Sequence, residues 1–324
     1  MHIVELEDHG QKWRFPKVLA GRYRPERVLS QGGFGLLVVA RDERLFDRKV
    51  LIKTGFVENR ELEVPNNLAI PDRVNKMKNR FTIERNCLLH GQMRGIDGIP
   101  VLIDSFLEKS PHIRGPHRSG GGETVYHKNP TYWESVPYLV LSYFDGVPLD
   151  TYCQKSANRQ SKGSPPVIAR NSKGFVRHLG IYLCNILQEF HKYKVVGETC
   201  LFVYQDLKPS NVLFSERQNR HCLIDFGGMA MCLKDGRVIN PLVKTDGYAP
   251  PEADDVSLRL ADRIRPVWDV YSLGKTLKEC IRMAKIDDSF RGAWNELLAK
   301  CTAEAPKDRY QDMQEVVKAL LKLN

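Results

Sequence analysis

The chain has 324 residues, of which 42% are hydrophobic, and its formal net charge is +10. This length is enough for two lobes with a sizeable core, and the hydrophobic content excludes a wholly disordered chain. The basic charge suits an acidic protein, a nucleic acid or an anionic membrane surface as a partner, and it does not choose among them.

Two features bear on the compartment. No apolar run approaches the ~20 residues needed to cross a bilayer, and the N-terminal MHIVELEDHGQKWRF lacks the basic-then-apolar order of a signal peptide. A cytoplasmic location is therefore the default expectation. The 8 cysteines show no metal-ligand spacing. They are predicted to be free thiols, with a disulfide framework or a zinc site disfavoured.

The N-terminal part of the chain predicts a small antiparallel sheet. Residues 1–21 are a polar and aromatic lead-in without an evident core face, so we expect a strap or a mobile segment and assign it no function. Residues 23–29, 36–41 and 49–54 then read as three short strands. The connection LSQGGFG at 29–35 is rich in glycine, which a backbone needs where it approaches phosphate oxygens closely. Taken alone, the glycine content is weak evidence, and an ordinary tight turn explains it better.

A polar connection at 58–78 follows, in which Pro65 and Pro71 oppose one continuous helix. A helical pattern begins at about residue 80. The residues that fit one face of this helix are Phe81, Glu84, Cys87, Leu88 and Met93. Residues 100–107 and 138–143 are predicted strands. The insertion between them, at about 108–137, is expected to be a flexible surface loop.

The next segment is strongly basic. Between residues 151 and 178 there is no acidic side chain, and the basic ones are Lys155, Arg159, Lys162, Arg170, Lys173 and Arg177. An ordinary solvated loop and a docking surface for an acidic protein or a nucleic acid both fit this pattern. Residues 175–193 predict an amphipathic helix. Its apolar face consists of Val176, Leu179, Leu183, Ile186, Leu187 and Phe190.

The stretch 203–227 carries the chemistry. Its segments VYQDLKPSNVLF and IDFG place Asp206, Lys208, Asn211 and Asp225 between short apolar runs. Phosphoryl transfer requires a carboxylate to accept or orient the attacking hydroxyl, a cation to meet the moving phosphoryl group and oxygen ligands for Mg²⁺. The four residues match those needs in that order. A polar hairpin with turn-capping side chains is the alternative, and the pairing of both motifs disfavours it.

These residues resemble the catalytic loop and DFG motif of the eukaryotic-like (Hanks-type) protein kinases, serine/threonine type. The resemblance spans about residues 22–321, because LSQGGFG, VLIK, DGYAPPE and WDVYSLG also follow in family order, and several details look bacterial. It implies a two-lobed α+β fold. Residues 22–143 would form a small lobe with an antiparallel sheet and the αC helix. Residues 144–324 would form a larger, mainly helical lobe with a basic insertion at about 151–174.

The resemblance also implies roles in the small lobe. Lys53 would meet the α- and β-phosphates of ATP and pair with Glu84 on the αC helix. The glycines expected to approach the phosphates are Gly32, Gly33 and Gly35. The side chains expected to line the nucleotide site are Leu37, Leu51, Leu141, Tyr143 and Leu213.

In the larger lobe, the resemblance makes Asp206 and Lys208 catalytic and adds the Thr245 hydroxyl as their contact. Asn211 and Asp225 would hold Mg²⁺, with Mn²⁺ as an alternative ion.

Two further contacts are implied. Asp269 would tether the catalytic-loop backbone, and a helix N-cap is its alternative role. Glu252 would form a buried ion pair with Arg309.

Three positions depart from the family pattern. Ser30 stands at the first glycine of the loop, and Leu51 stands where alanine is usual, which could narrow the nucleotide slot. Gln205 replaces the arginine before the catalytic aspartate, and an amide cannot bind a phosphate as arginine does. Between residues 225 and 252 the only hydroxyl side chains are Thr245 and Tyr248. We therefore expect activity that does not need activation-loop phosphorylation.

Three functions remain in order. The first is a Mg·ATP-dependent kinase for serine or threonine of a protein; Pro148 and Ser210, at positions that are acidic in arginine-directed kinases, argue against strongly basic peptides. The second is a pseudokinase or ATP-binding scaffold that presents the basic insertions to an acidic protein or nucleic acid. The third, a small-molecule phosphotransferase, ranks last because such enzymes generally lack APE-like and αF features.

Overall fold

The structure is a computed structural model, and its described residues fall into two compact units. The first unit comprises Met1–Gln92 and Pro100–Tyr143, and the second comprises Met93–Ile99 and Phe144–Asn324. The described residues are 2–8, 11–32, 35–55, 69–114, 117–118, 124–125, 135–159, 166–192, 194–195, 198–199, 201–240 and 243–323.

The first unit is built on an antiparallel sheet. Its strands are β1 (Ile3–Asp8), β2 (Gln11–Pro16), β3 (Tyr23–Gly32), β4 (Gly35–Asp42), β5 (Arg48–Thr54), β6 (Leu102–Lys109), β7 (His112–Arg114), β8 (His117–Arg118), β9 (Thr124–Val125) and β10 (Ser135–Ser142). A 5-stranded sheet has the order β3-β4-β5-β10-β6, and a 3-stranded sheet has the order β1-β2-β7. Strands β8 and β9 pair with each other.

Alternation along the central strands separates the two faces of the larger sheet. On β4, Leu36, Val38 and Ala40 are buried in the core of the first unit, together with Val50 and Ile52 of β5. Successive side chains on a strand point to opposite faces. The residues that alternate with these buried ones along the two strands, including Lys53, therefore belong to the other face of the sheet.

The expectation that residues 1–21 have no core face was wrong, whereas the alternative that this segment packs as a strap agrees with its described residues. Leu6 on β1 and Trp13 and Phe15 on β2 are buried in the same core as β4 and β5. Each of these two strands places alternate apolar residues on one side, which is enough to cover a sheet face. The N-terminal strands are therefore part of the first unit's fold.

The insertion at 108–137 also differs from the expected loop where it is described. Strand β7 pairs with β2, and Ile113 lies opposite Trp13. This pairing gives the backbone of β7 hydrogen-bond partners, so it extends the small sheet. Residues 115–116, 119–123 and 126–134 lie outside the described part of the chain.

The helix of the first unit, α1 (Ala69–Met93), begins earlier than expected. Pro71 lies in its first turn, where a backbone N–H has no intrahelical acceptor, so proline is tolerated there. Phe81, Cys87 and Leu88, which were predicted to share one helical face, are buried. Met93 was assigned to the same face wrongly, since it is the last residue of the helix and is 87% exposed.

The second unit contains most of the helices. They are α2 (Leu149–Arg159), α3 (Val167–Arg170), α4 (Ser172–His191), α5 (Leu260–Arg263), α6 (Pro266–Met283), α7 (Ala293–Cys301) and α8 (Met313–Leu321). Its short strands are β11 (Val147–Pro148), β12 (Lys194–Val195), β13 (Glu198–Thr199), β14 (Leu201–Val203), β15 (Val212–Ser215), β16 (Arg220–Leu223), β17 (Ala230–Cys232) and β18 (Val238–Ile239). The predicted apolar face of α4 is buried throughout, which confirms it.

The basic segment is largely helical rather than a loop. Lys155 lies on α2, Arg170 on α3, and Lys173 and Arg177 on α4. The apolar residues between the charges, such as Tyr152 and Ile168, are buried and set the helical period. Residues 160–165, with Lys162, lie outside the described residues.

Seven of the eight cysteines fall in the described part of the chain, and each of those is a buried free thiol. Cys200 lies outside it. Burial raises the pKa of Cys222 and Cys301 to about 12, which leaves little reactive thiolate at neutral pH.

Among the helices that the structure describes, none is both long enough and apolar enough to span a membrane.

Candidate active site

In the first unit, strand β5 and helix α1 hold a buried ion pair. Lys53 Nζ lies 3.0 Å from Glu84 Oε1 and 2.8 Å from Glu84 Oε2, and the two side chains are 8% and 3% exposed. The predicted pair is thus confirmed as a contact. Because removing either partner would leave an uncompensated buried charge, the pair fixes the lysine ammonium relative to the sheet.

An apolar surface surrounds that lysine on the sheet. Leu37 lies directly opposite Lys53 on β4, and Leu51 lies opposite Leu141 on β10. Directly paired residues share a face, so these four side chains lie on the side away from the core. Leu37 and Leu51 are only partly buried. This face therefore offers apolar contact next to a fixed cation.

The Gly-rich connection has one position at which glycine is required. Gly35 begins β4 with φ +120°, and a Cβ there would lie 2.3 Å from the carbonyl oxygen of Thr54. Gly32 pairs with Gly35 across the end of the hairpin. Gly33 lies outside the described residues. Tyr143 follows β10, and its ring packs 4.8 Å from Lys49 Nζ.

In the second unit, helix α6 holds the backbone that precedes Asp206. The fully buried Asp269 accepts hydrogen bonds from Tyr204 N at 2.8 Å and from Gln205 N at 3.0 Å. The helix begins at Pro266 with Arg265 as its N-cap, so the alternative capping role of Asp269 was wrong. His191 Nε2 lies 2.9 Å from Asp269 Oδ2, a contact that sequence reasoning missed.

Asp206, Lys208 and Thr245 form a hydrogen-bonded triangle. Lys208 Nζ donates to Asp206 Oδ2 at 2.8 Å and to Thr245 Oγ1 at 2.7 Å. The Thr245 hydroxyl donates to Asp206 Oδ1 at 2.5 Å. Asp206 itself is 4% exposed. A carboxylate is therefore held beside a cation and a hydroxyl, with both of its oxygens oriented.

Asn211 is fixed against the same carboxylate. Its Nδ2 donates to the backbone oxygen of Asp206 at 2.8 Å and to Asp206 Oδ2 at 3.2 Å. Because these bonds use the amide hydrogens, Asn211 presents its Oδ1 as the atom available to a cation.

A short hairpin brings Asp225 to the same end of the second unit. Val212 on β15 lies opposite Leu223 on β16, and Ile224 N donates to the backbone carbonyl oxygen of Asn211 at 2.9 Å. Asp225 then turns out of the strand with φ +64°, a left-handed conformation that few residues besides glycine adopt readily.

The donor set suits Mg²⁺. Asn211 and Asp225 supply an amide oxygen and a carboxylate, and Mg²⁺ in phosphoryl-transfer sites takes one or two protein oxygens together with phosphate and water. Within the described residues, no group of three or more His, Cys, Asp or Glu side chains forms a metal-binding cluster.

The residue before Gln205 is structural. The Tyr204 ring packs edge-on at 5.6 Å from the ring of Phe226, and its hydroxyl donates to the carbonyl oxygen of Ile224. Tyr204 is 1% exposed. It therefore links the backbone before Asp206 to the segment that carries Asp225 through ring packing and a hydrogen bond.

Gln205 and Asn240 contact the backbone that follows Asp225. Gln205 Nε2 donates to the Gly228 oxygen at 2.8 Å, and Asn240 Nδ2 donates to the Gly227 and Met229 oxygens at 3.0 and 2.9 Å. Sequence reasoning missed Asn240. Its only local signal is that asparagine tolerates the left-handed φ of +56° found there, which does not reveal its partners.

The second predicted ion pair is present and buried. Arg309 Nη1 and Nη2 donate to Glu252 Oε1 and Oε2 at 2.6 and 2.8 Å. Leu213, the remaining candidate for nucleotide contact, lies on β15 opposite Pro148 and is partly buried.

In the second unit, hydrogen bonds therefore bring Asp206, Lys208, Asn211 and Thr245 together. The protein kinase domain family matches residues 131–323, which is more than half of the chain. The chain belongs to the protein kinase family.

Several kinases are similar to it in sequence. Serine/threonine-protein kinase F of Synechocystis sp. is 24% identical over 339 residues, covering 95% of this chain and 56% of that protein. Serine/threonine-protein kinase PknG of Mycobacterium leprae is 27% identical over 265 residues, covering 80% of this chain and 25% of that protein. Human serine/threonine-protein kinase Kist is 32% identical over 96 residues, 28% of this chain and 22% of that protein. The chain thus spans about half, or less, of the length of these relatives.

Proposed function

We propose that the protein is a Mg·ATP-dependent serine/threonine protein kinase, which transfers the γ-phosphoryl group of ATP to a protein hydroxyl. The observation that carries this proposal is the partly buried triangle of Asp206, Lys208 and Thr245. Catalysis of phosphoryl transfer depends on positioning and electrostatic stabilisation, and this triangle fixes a carboxylate and a cation relative to each other.

In this proposal each fixed group has one task. Asp206 accepts or orients the proton of the substrate hydroxyl, and Lys208 meets the charge that develops on the transferred phosphoryl group. Asn211 and Asp225 hold Mg²⁺, which when bound neutralises phosphate charge. Lys53, kept in place by Glu84, binds the α- and β-phosphates.

The proposed nucleotide contacts are of two kinds, backbone contacts to the phosphates and side-chain contacts to the rest of the nucleotide. We propose that the backbone of Gly32, Gly33 and Gly35 approaches the phosphates. The proposed contacts to the rest of the nucleotide are Leu37, Leu51, Leu141, Tyr143 and Leu213. The partly buried apolar face of β4, β5 and β10 supports this assignment in the first unit. The proposal requires that a nucleotide base fits next to Leu51, where the family usually has the smaller alanine.

The acceptor is proposed to be serine or threonine. The names of the related kinases support that class, and Lys208 and Thr245 are the residue types that accompany it. Pro148 and Ser210 stand where acidic residues would favour basic peptides. We therefore propose a substrate that is not strongly basic, and the cytoplasm as the location, since buried free thiols persist where thiols stay reduced.

We further propose that activity does not depend on phosphorylation of the segment from Asp225 to Glu252. Gln205 is a neutral amide that already donates to backbone oxygens, so it provides no charge for a phosphate. The Thr245 hydroxyl is likewise engaged with Asp206 and Lys208.

The alternative is a pseudokinase or ATP-binding scaffold, whose basic segment contacts an acidic protein or a nucleic acid. Leu51, Ser30 and Gln205 favour it. The intact contacts of Lys53, Asp206 and Asn211 oppose it.

Transfer of labelled γ-phosphate from Mg·ATP to generic protein substrates separates the two functions. Wild type should transfer phosphate, and Lys53→Ala and Asp206→Asn should each lower the rate by roughly 10³-fold or more. Lys322→Ala and Asp287→Asn, at exposed positions, are the matched controls and should match wild type. Equal labelling by wild type and both site variants would rule out the active kinase.

A further inference from the structure

We infer that Gln205 and Asn240 form an amide latch, which holds the backbone after Asp225 in its working conformation without any phosphate. The amide latch is defined as these two side chains and the carbonyl groups of Gly227, Gly228, Met229 and Asn240. This inference rests on the proposed function, because it names how the same site is kept ordered, and it makes Asn240 a positioning residue.

The latch is a closed set of hydrogen bonds. Asn240 Nδ2 binds the carbonyl oxygens of Gly227 and Met229, and Gln205 Nε2 binds the oxygen between them, that of Gly228. Gln205 Nε2 also lies 3.4 Å from the oxygen of Asn240 itself. Three consecutive carbonyls are thus bound by two amides, and the two amide residues are linked to each other.

The bound carbonyls lie in a part of the chain that needs such partners. Gly227, Gly228 and Met229 are buried, and a buried carbonyl without a hydrogen bond is costly. Asp225, Gln205 and Asn240 also have left-handed φ angles of +64°, +67° and +56°. Non-glycine residues keep such conformations only where their surroundings hold them. The amide latch supplies that restraint, because its hydrogen bonds hold the backbone that follows Asp225.

The amide latch also connects the backbone next to Asp206 with the segment that follows Asp225. Gln205 immediately precedes Asp206, and its own backbone is bound at both ends, by Asp269 to its N–H and by Trp268 Nε1 to its oxygen. The opposite side of the latch begins two residues after Asp225. Asp225, the carboxylate proposed to hold the metal, and Asp206, the carboxylate proposed to orient the hydroxyl, are therefore both attached to the amide latch.

The donors of the amide latch are neutral, which distinguishes it from an arginine at position 205. An arginine at position 205 would carry a charge that an incoming phosphate could satisfy, whereas the amide donates to carbonyl oxygens that are always present. Amide-to-carbonyl bonds in a buried setting are also little affected by salt. The working conformation should therefore persist in the unphosphorylated protein and across ionic strengths.

The test compares substitutions at Asn240 with the same substitutions at Asn219. Asn219 is the matched control because it is also left-handed, with φ +50°, and lies exposed in the turn between β15 and β16. Asn240→Gly keeps the left-handed backbone and removes both donors. Asn240→Asp keeps the shape and places acceptors against two carbonyl oxygens.

Two readouts are measured on the full chain. Hydrogen exchange of the amides of residues 226–232, without nucleotide, should become at least about tenfold faster in both Asn240 variants and remain unchanged in both Asn219 variants. In the transfer assay, kcat should fall about tenfold or more, and the Mg²⁺ concentration for half-maximal rate should rise, while the KM for the protein substrate stays near wild type. A general loss of stability would not shift the Mg²⁺ requirement selectively.

Wild-type exchange and wild-type Mg²⁺ dependence in Asn240→Gly would overturn the latch. If Asn240→Asp does not fold, Asn240→Gly decides, since glycine accepts the backbone conformation. If the wild type transfers no phosphate, the proposed function fails on its own. The exchange readout then still decides between a latch, with faster exchange in the Asn240 variants, and none.

Discussion

Arg309 and Glu252, 57 residues apart in sequence, form a two-pronged ion pair with Nη–Oε distances of 2.6 and 2.8 Å, and the Arg309 side chain is 0% exposed. Arg309 also donates to the carbonyl oxygens of Ala303 and Glu304, both at 2.7 Å. One guanidinium therefore joins the end of the segment that begins at Asp225 to the loop before α8.

Replacing Arg309 by methionine should lower the free energy of unfolding of the second unit by about 3–5 kcal/mol, because Glu252 would be left as an unpaired buried charge. Arg309→Lys keeps the charge but loses the planar fork, so its loss should be smaller. Urea denaturation measures both. Arg282→Met, which breaks an exposed pair with Glu279, is the control and should cost less than about 1 kcal/mol. Equal losses at both arginines would contradict this account.

Thr245 is expected to act through its hydroxyl rather than through packing. Thr245→Val keeps the branched shape and removes the bonds to Asp206 and Lys208. Bonds to charged groups contribute about 1.5–3 kcal/mol, so kcat should fall by about 10- to 100-fold. Thr245→Ser retains the hydroxyl and should keep most of the rate. Steady-state kinetics check this, and a valine variant as active as the serine variant would disprove it.

His221 should make the protein sensitive to acid. Its ring is 3% exposed among aromatic rings that include Phe214 and Phe175, and neither ring nitrogen has a hydrogen-bond partner among the described residues. Burial, and secondarily the nearby His178, lowers its pKa to about 3. An unfolded histidine has a pKa of about 6.5.

Between these two pKa values the unfolded chain binds a proton that the folded chain does not, so stability falls as the pH drops from about 6.5 towards 3. At pH 4 the loss relative to pH 7 should be about 3 kcal/mol. His221→Phe should remove this component, and the difference between wild type and variant in chemical denaturation should vary with pH. Parallel stability curves from pH 7 to pH 4 would show that His221 does not titrate in this way.

The N-terminal strands should contribute to the stability of the first unit. Trp13 on β2 is 0% exposed in its core. Trp13→Ala should cost about 3–5 kcal/mol, as large-to-small core substitutions do. Lys12→Ala, at the exposed neighbouring position, should change stability by less than about 0.5 kcal/mol. Matching thermal transitions for both variants would mean that these strands do not support the unit.

Contacts carried by ordered motifs could be predicted from the sequence. The pairs Lys53–Glu84 and Glu252–Arg309 were found because each residue type stood in a recognisable order along the chain. The amphipathic helix α4 was predicted from the period of its apolar residues. Motif order and hydrophobic period are both properties of the chain alone.

Other features depend on packing that a local pattern does not contain. Trp13 and Phe15 sit on a strand too short for its alternation to stand out, and their burial becomes evident only with the sheet they cover. Met93 fits the helical period but falls at the helix end, where it is exposed. Asn240 was missed because its partners, Gly227 and Met229, are defined by the fold of the segment.

The most direct measurement is the initial rate of γ-phosphoryl transfer from Mg·ATP to protein serine or threonine by enzyme whose intact mass shows no bound phosphate. We predict that the wild type transfers phosphate at its full rate from the first time point, without a lag. In Asp206→Asn the rate should be lower by roughly 10³-fold or more. Transfer that begins only after a phosphate is added between Asp225 and Glu252, or transfer that is absent from the wild type, would contradict the account.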